Sequence, residues 1–267
     1  MEIRLNSRFI ISIFCGVLLL SGCGGRQEVR SARQDQAAEF NQRAQRSFQR
    51  GEYQAAADLY ESALRQDVAI ENVNGIAINT LNLARVNHVL GKNALAQRYL
   101  DQLLDDKALR YATVHLAEAA VRKSLLLLEG NDIAGSVALL GQAADWCASG
   151  CTFNGAIDNV RAGIALREND AEKALHWGER AASANRNVPM EYANSLRLIA
   201  TARLMKNEHD ASLRLSDEAL AIDKSLGLPE KIRQDLLLSA QAHEKLGHAE
   251  QAAQYRDRAE RIAAAVK

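Results

Sequence analysis

The side chains best suited to chemistry are those of Cys147 and Cys151, which lie four residues apart. On a continuous helix this spacing puts the two Cα atoms near the upper limit for a disulfide, and Gly150 favours a break in the helix that relieves it. The pair could form a disulfide, remain as two thiols or supply half of a metal site. A redox-active pair is less favoured, since such motifs usually space their cysteines by two residues.

Histidine occurs six times, but without the spacing of metal ligands. The histidines are His88, His115, His176, His209, His243 and His248. The last two are five residues apart and lie on either side of a predicted turn. The chain has no HExxH, GxSxG, phosphate-binding-loop or dinucleotide motif, and no pair of acids converges in sequence. We therefore expect a non-catalytic protein with no metal site and no cofactor.

The elements that position these residues recur six times. Each copy is a helix rich in small residues, a turn with Gly or Asn, and a second such helix. The turns begin at Gly51, Gly91, Gly130, Asn169, Asn207 and Gly247, which are 40, 39, 39, 38 and 40 positions apart. A near-constant period of this length predicts a stacked array of helical hairpins. Such arrays more often bind other molecules along an extended surface than catalyse a reaction.

The first copy shows the repeat most fully. Its large and small positions are Phe40, Ala44, Gly51, Tyr53, Ala56, Tyr60, Ala63 and Leu64. This spacing resembles the tetratricopeptide repeat, and the resemblance covers roughly residues 36–264. It implies an all-α fold, an α-solenoid superhelix of about six helix-turn-helix hairpins with a 38–40-residue period. The family's usual period is 34, and its usual proline after the second helix is missing from every copy, so we expect longer helices rather than longer loops.

Two details test the register of the repeat. Pro189 and Pro229 each precede a turn start by 18 residues, and they should mark the beginning of a first helix, where a missing N–H costs least. In the third copy Lys123 and Gln142 occupy two positions that are small in most other copies. The register of that copy is therefore expected to be off by one or two residues.

The N-terminal sequence predicts a targeting signal that is not part of the folded domain. Arg4 and Arg8 precede a mostly apolar run over residues 9–20, which is typical of a secretory signal and too short to span a bilayer. The run ends in Leu20-Ser21-Gly22-Cys23, which resembles a bacterial lipobox. The resemblance implies cleavage before Cys23, a lipid on its sulfur and acylation of the new amine. A signal peptide without lipidation and an uncleaved anchor are the alternatives.

We therefore expect three parts of the chain: a signal peptide over residues 1–22, a lipidated flexible tether over 23–35 and a repeat domain over 36–267. Gly24 follows Cys23, and the sorting rule carried by the resemblance then favours the periplasmic face of the outer membrane. An oxidising periplasm makes the disulfide the expected state of Cys147 and Cys151. The 33 basic and 33 acidic residues cancel, which argues against a nucleic-acid partner.

In the resembling family the first helices line the concave side of the superhelix. The inward polar positions predicted to bind a partner are Asn41, Gln45, Asn82, Arg85, His88, Asn159, Arg167, Asn194, Arg197, Thr201 and Gln241. Amides and guanidinium groups in a row could hold an extended peptide by its backbone, although polar residues also line any water-filled groove. Asn82, Arg85, Asn194 and Arg197 are the strongest candidates.

These features together predict a lipid-anchored, non-catalytic scaffold or assembly factor of the bacterial cell envelope. The partner would be an envelope protein or peptide segment, for example of pilus and secretin, outer-membrane or cell-wall machinery. The alternative is an enzyme or enzyme activator acting on cell-wall or exported polysaccharide, which would need two carboxylates facing each other in the groove. A weaker alternative is an adaptor that dimerises through Leu226 and Leu228.

Overall fold

In the computed structural model, residues 31–147 and 153–265 are described, and they form twelve α-helices and no strand. The helices are α1 (Ala32–Gln49), α2 (Tyr53–Ala69), α3 (Val73–Val89), α4 (Asn93–Leu104), α5 (Thr113–Glu129), α6 (Ile133–Trp146), α7 (Asn154–Arg167), α8 (Ala171–Asn185), α9 (Pro189–Met205), α10 (His209–Ser225), α11 (Pro229–Lys245) and α12 (Ala249–Ala265). Consecutive pairs pack as six hairpins, numbered in chain order. The predicted all-α solenoid is confirmed.

The local signals place the helix ends as expected. Pro189 and Pro229 are the first residues of α9 and α11, as predicted. Seven of the described helices have 17 residues, so the long period is mostly helix. The first helix begins at Ala32, ahead of the predicted domain boundary at residue 36, and a capping box formed by Ser31 and Gln34 stabilises its start.

One backbone motif closes every hairpin. The first helix is followed by a residue with a left-handed backbone. The backbone N–H of the residue after it donates to the carbonyl of the residue five positions before that donor, at 2.8–2.9 Å. The left-handed residues are Gly51, Gly91, Asn131, Asn169, Asn207 and Gly247, with φ of 59–78°. In the third hairpin this residue is Asn131, not Gly130, so the predicted turn start is one residue too early.

That shift of one residue explains the irregular third copy. Ser124 and Ser136 are fully buried there, and their hydroxyls lie 2.9 Å apart, where other hairpins bury pairs such as Ala44 and Ala56. Lys123 instead reaches Asp101 of α4 at 2.6 Å. Small side chains let the two helices of a hairpin approach closely, and all six hairpins bury a small residue at both positions once the third is renumbered.

The helical array is curved and meets itself. First helices of successive hairpins contact one another, and in the described residues no pair of second helices makes comparable contact. The first helices therefore form the concave face. The Tyr53 hydroxyl, in the first hairpin, donates to the Gly227 carbonyl between α10 and α11 at 3.1 Å. Met190 of α9 packs against an apolar cluster that includes Phe48 and Tyr60 of the first hairpin. We call this contact the closure.

Candidate partner-binding groove

Three of the junctions between hairpins are held by a buried polar triplet at one place in the repeat. Each triplet joins a first helix, the second helix of the same hairpin and the first helix of the next hairpin. The triplets are Asn41, Asp67 and Asn79 between hairpins 1 and 2, Asn159, Asn185 and Ser195 between 4 and 5, and Arg197, Asp223 and Asp235 between 5 and 6. Several predicted groove residues therefore hold the array together.

In the first triplet the groups are amides and one carboxylate. Asn41 Nδ2 donates to Asn79 Oδ1 at 2.5 Å, and Asn79 Nδ2 donates to Asp67 Oδ2 at 2.8 Å. Asn72, just before α3, donates to the other oxygen of Asp67 at 2.7 Å. A Cβ at Gly75 would lie 2.3 Å from the Asp67 carboxylate, so glycine leaves the room that this acid needs. Burial nevertheless raises the pKa of Asp67.

The second triplet is neutral throughout. Ser195 donates to Asn159 Oδ1 at 2.7 Å, and Asn185 donates to the Ser195 hydroxyl at 3.2 Å. The Asn159 amide nitrogen is used as well, on the backbone carbonyl of Glu191 at 3.1 Å and its side chain at 3.0 Å. Because both ends of the Asn159 amide are occupied, this predicted groove residue has no free group for a partner backbone.

The third triplet is ionic. Arg197 Nε donates to Asp235 Oδ1 at 2.6 Å, one Nη donates to Asp223, and the other donates to Asn194 at 2.9 Å. The side chains of Asp223 and Asp235 are 1% and 0% exposed. Burial raises the pKa of Asp223 to about 7, and it also raises the pKa of Asp235. The Arg197 fork is therefore directed into the array and not toward a partner.

Asp223 and Asp235 are two facing carboxyl groups, which is the feature that the polysaccharide-enzyme alternative requires. Both are buried beneath Arg197 at a junction between helices, so a glycan has no access to them. Lys231 of α11 adds a positive charge nearby, and burial followed by the Arg197 charge lowers its pKa. The pair is explained by helix packing, since buried carboxyls need a nearby cation or a proton.

Hairpins 1 and 2 present the groove residues that remain available. Gln45 and Asn82 make no side-chain hydrogen bond within the described residues, and Gln45 is exposed while Asn82 is half-buried. Arg85 stacks its guanidinium 4.1 Å from the Phe48 ring centroid. The Arg85 Nε is buried without a hydrogen-bond acceptor in this part of the chain. These three residues form what we call the N-terminal groove patch.

The charge on Arg85 is only partly compensated. Burial lowers the pKa of Arg85, and the neighbouring Arg122 lowers it further, whereas Tyr60 and Glu118 act in the opposite sense. Arg122 is paired with Glu118 on its own helix. A guanidinium that is stacked on an aromatic ring and has no carboxylate partner can donate hydrogen bonds to an anionic or carbonyl oxygen of another molecule.

The other predicted site residues have varied surroundings. His88 Nε2 lies 2.8 Å from Glu129, and Thr201 donates to the Arg197 carbonyl at 2.9 Å. Arg167 and Gln241 are exposed. Cys147 is buried and disulfide-bonded at the end of α6, while Cys151 lies outside the described residues, so the Cys147–Cys151 pairing stays a prediction. Cys23 lies outside them too.

A pocket of about 300 Å³ lies away from the N-terminal groove patch. Its walls come from α6, α7 and α8, and Val137, Leu140 and Trp177 contribute apolar surface. Arg161 and Arg180 stack on the Trp177 ring at 4.7 and 4.8 Å, and both also reach Asp158. The sequence analysis did not predict this pocket.

Sequence reasoning also missed the partners of the predicted groove residues. Asn79 and Asp235 lie 38 positions after Asn41 and Arg197 in the sequence, which is close to one repeat period. Polar residues that recur one period after an inward Asn or Arg were the available signal. They indicate a junction between hairpins and not a ligand site.

Comparisons with known proteins agree with this architecture. No protein-family model matches the chain, and no curated protein matches it. Among solved structures, a Rap protein complexed with competence and sporulation factor is similar with a TM-score of 0.68 and 13% identity, over 89% of this chain and 77% of that one. Pseudomonas aeruginosa pilF has a TM-score of 0.51 and 16% identity, over 87% and 94%. BtubC from P. vanneervenii has 0.52 and 17%, over 88% and 92%.

At these identities the likeness establishes the fold, which is a tetratricopeptide-like helical repeat solenoid. The first of these neighbours is a complex with a competence and sporulation factor, which is a property of that protein. None of the helices in the described part of the chain combines the length and the hydropathy that crossing a bilayer requires.

Proposed function

We propose that this protein is a lipid-anchored scaffold of the bacterial cell envelope that captures an extended segment of a partner protein. The supporting observation is the N-terminal groove patch. Gln45, Asn82 and Arg85 lie on the concave helices, and their polar groups are not consumed by the junctions between hairpins. Amide side chains bind a peptide backbone through both donors and acceptors, and the Arg85 guanidinium donates hydrogen bonds to a carboxylate or carbonyl oxygen.

The proposed location rests on the N-terminal sequence. The lipobox-like Leu20-Ser21-Gly22-Cys23 and the Gly24 that follows it support anchoring at the periplasmic face of the outer membrane. Residues 1–22 would be the signal peptide and residues 23–35 mainly a tether. Metabolic labelling with palmitate tests the anchor directly. The wild type should incorporate label, the Cys23→Ser variant should not, and label retained in that variant would contradict lipidation at this residue.

A photoreactive side chain placed at Gln45 tests partner capture in intact cells. We expect it to crosslink an envelope protein that mass spectrometry then identifies, whereas the same group at Gln102 on α4 should not. Gln102 is exposed and lies on a second helix, away from the concave face. Equal crosslinking from both positions would place the partner outside the groove and contradict the proposal.

A matched pair of variants then tests the residues of the patch. Asn82→Ala with Arg85→Gln should reduce the crosslinked partner at least tenfold, because the backbone and carboxylate contacts are lost together. The control, Arg98→Ala with Gln102→Ala, changes one arginine and one amide on the second helix of that hairpin and should leave capture unchanged. The melting temperature of each variant is measured in parallel, and full capture by the folded patch variant would refute the assignment.

A further inference from the structure

The turn between α11 and α12 brings two histidines together. His243 lies in the last turn of α11, and His248 directly precedes α12. Gly247 between them has φ +78°, and the His248 N–H donates to the His243 carbonyl at 2.9 Å. This turn fixes the separation of the two backbones, so the histidines are neighbours although a spacing of five across a turn is not a helical ligand spacing.

The two imidazoles face each other through the same ring atom. Their Nδ1 atoms lie 3.4 Å apart, and their ring centroids lie 5.6 Å apart. The Tyr255 ring on α12 lies 5.2 Å from the His243 ring and limits its orientation. A nitrogen–nitrogen distance of 3.4 Å is longer than an ordinary hydrogen bond. A hydrogen bond between the two rings would therefore be weak.

The geometry points to a site for a divalent first-row transition metal such as Zn²⁺ or Cu²⁺, held by His243 Nδ1 and His248 Nδ1. An ion about 2.05 Å from each nitrogen would subtend an angle of about 112° across 3.4 Å, close to the tetrahedral value. Imidazole nitrogen is a preferred ligand for these metals. The distance between the two nitrogens is therefore already the one that a bound ion requires.

The site is open, because the chain supplies two ligands. In the described ranges no three His, Cys, Asp or Glu side chains form a metal-binding group. Glu244, next to His243, is ion-paired with Arg256 on α12. The remaining coordination positions would be filled by water or by a donor atom from another molecule. This open coordination distinguishes the site from a closed structural zinc site with four protein ligands.

Three of the other histidines are engaged elsewhere. His88 contacts Glu129 at 2.8 Å, His115 contacts Asn74 at 2.8 Å, and the His176 ring packs edge-on against Trp177 at 4.9 Å. His88 and His115 therefore provide a matched control, since they are also partly exposed imidazoles on this array but have no second histidine beside them.

Metal titration of the full chain, purified with a histidine-free affinity tag, tests the site. Zn²⁺ binding is followed by calorimetry, and Cu²⁺ binding by the nitrogen hyperfine structure of its electron paramagnetic resonance spectrum. We expect one ion per chain with two coordinating imidazole nitrogens. His243→Gln and His248→Gln should each weaken binding at least tenfold, while His88→Gln with His115→Gln should leave it unchanged.

Circular dichroism establishes that each variant is folded. Absence of Zn²⁺ and Cu²⁺ binding by the folded wild type would overturn the site. Binding that persists unchanged in a His243→Gln, His248→Gln double variant would also overturn it, because the metal would then be held by other groups such as the cysteines.

Discussion

The junction between the fifth and sixth hairpins and the junction between the third and fourth occupy the same place in the repeat but have opposite chemistry. The equivalent residues are Arg197, Asp223 and Asp235 between hairpins 5 and 6, and Val121, Cys147 and Ile157 between hairpins 3 and 4. All six are largely or fully buried. Truncating an apolar side chain should destabilise its junction in proportion to the buried surface and cavity volume lost. Removing one charge from an ionic junction should cost more, because it leaves another buried charge without a partner.

The largest effect is expected from Arg197→Met. This change leaves Asp223 and Asp235 buried without their shared guanidinium, so unfolding in urea should show a loss of about 3–5 kcal/mol. The control replaces all three groups, as Arg197→Met, Asp223→Leu and Asp235→Leu, and should restore most of the stability because no buried charge remains. A single variant that loses less than about 1 kcal/mol would show that the ion pairs are not essential to this junction.

The apolar junction should respond more weakly and without dependence on pH. Ile157 is 2% exposed in the cluster that also contains Leu140 and Val160. Ile157→Ala removes apolar contacts and leaves a cavity, and we expect a loss of about 2–4 kcal/mol in the same urea assay. The loss should be equal at pH 5 and pH 8. A cost that changes with pH would mean that this junction is coupled to titrating groups.

The ionic junction should carry its own pH dependence. The pKa of Asp223 is raised to about 7, above its ordinary value of 3.8, so the native state holds a proton that the unfolded chain releases. Stability from this group is therefore greatest at low pH and falls as pH rises from about 4 to about 7. Asp223→Asn imitates the protonated acid, and its stability relative to wild type should rise by on the order of 2 kcal/mol between pH 5 and pH 8. A pH-independent difference would contradict the raised pKa.

The triplet of amides and one carboxylate between hairpins 1 and 2 should give the smallest effect. Asn79 is 2% exposed and joins Asn41 to Asp67. Asn79→Ala leaves those two groups without this partner, and a loss of about 1–2 kcal/mol is expected in thermal unfolding. Asn82→Ala on the same helix is the control and should leave the melting temperature unchanged. Equal losses in the two variants would mean that the triplet contributes nothing specific.

The period and the helix starts could be read from the sequence because local chemistry determines them. Pro189 and Pro229 begin helices wherever the fold places them, and a glycine or asparagine after a helix takes the left-handed turn. The third turn was assigned to Gly130, but Asn131 adopts the positive φ. Both residue types suit that position, and the small residues Ser124 and Ser136, which pack against each other, fix the register one residue later.

The groove was only partly predictable, for a different reason. Asn41, Asn159 and Arg197 were correctly assigned to first helices, yet their hydrogen bonds connect neighbouring hairpins. Whether an inward polar group faces a neighbour or the groove depends on how far one hairpin rotates on the next. No residue type encodes that rotation by itself. Gln45 and Asn82 lie at other positions of the repeat than Asn41, and the structure shows that those positions face the groove and not a junction.

The closure between Tyr53 and Gly227 restricts how this chain can gain or lose repeats during evolution. An open solenoid can gain or lose a hairpin anywhere along its length, since each unit contacts only its neighbours. Here the first hairpin also contacts the turn after α10, nearly a whole circuit later in the chain. Deleting or duplicating a hairpin between these two residues would move Gly227 away from Tyr53 and break the closure. The number of hairpins between the two contact points is therefore fixed by the curvature of the array.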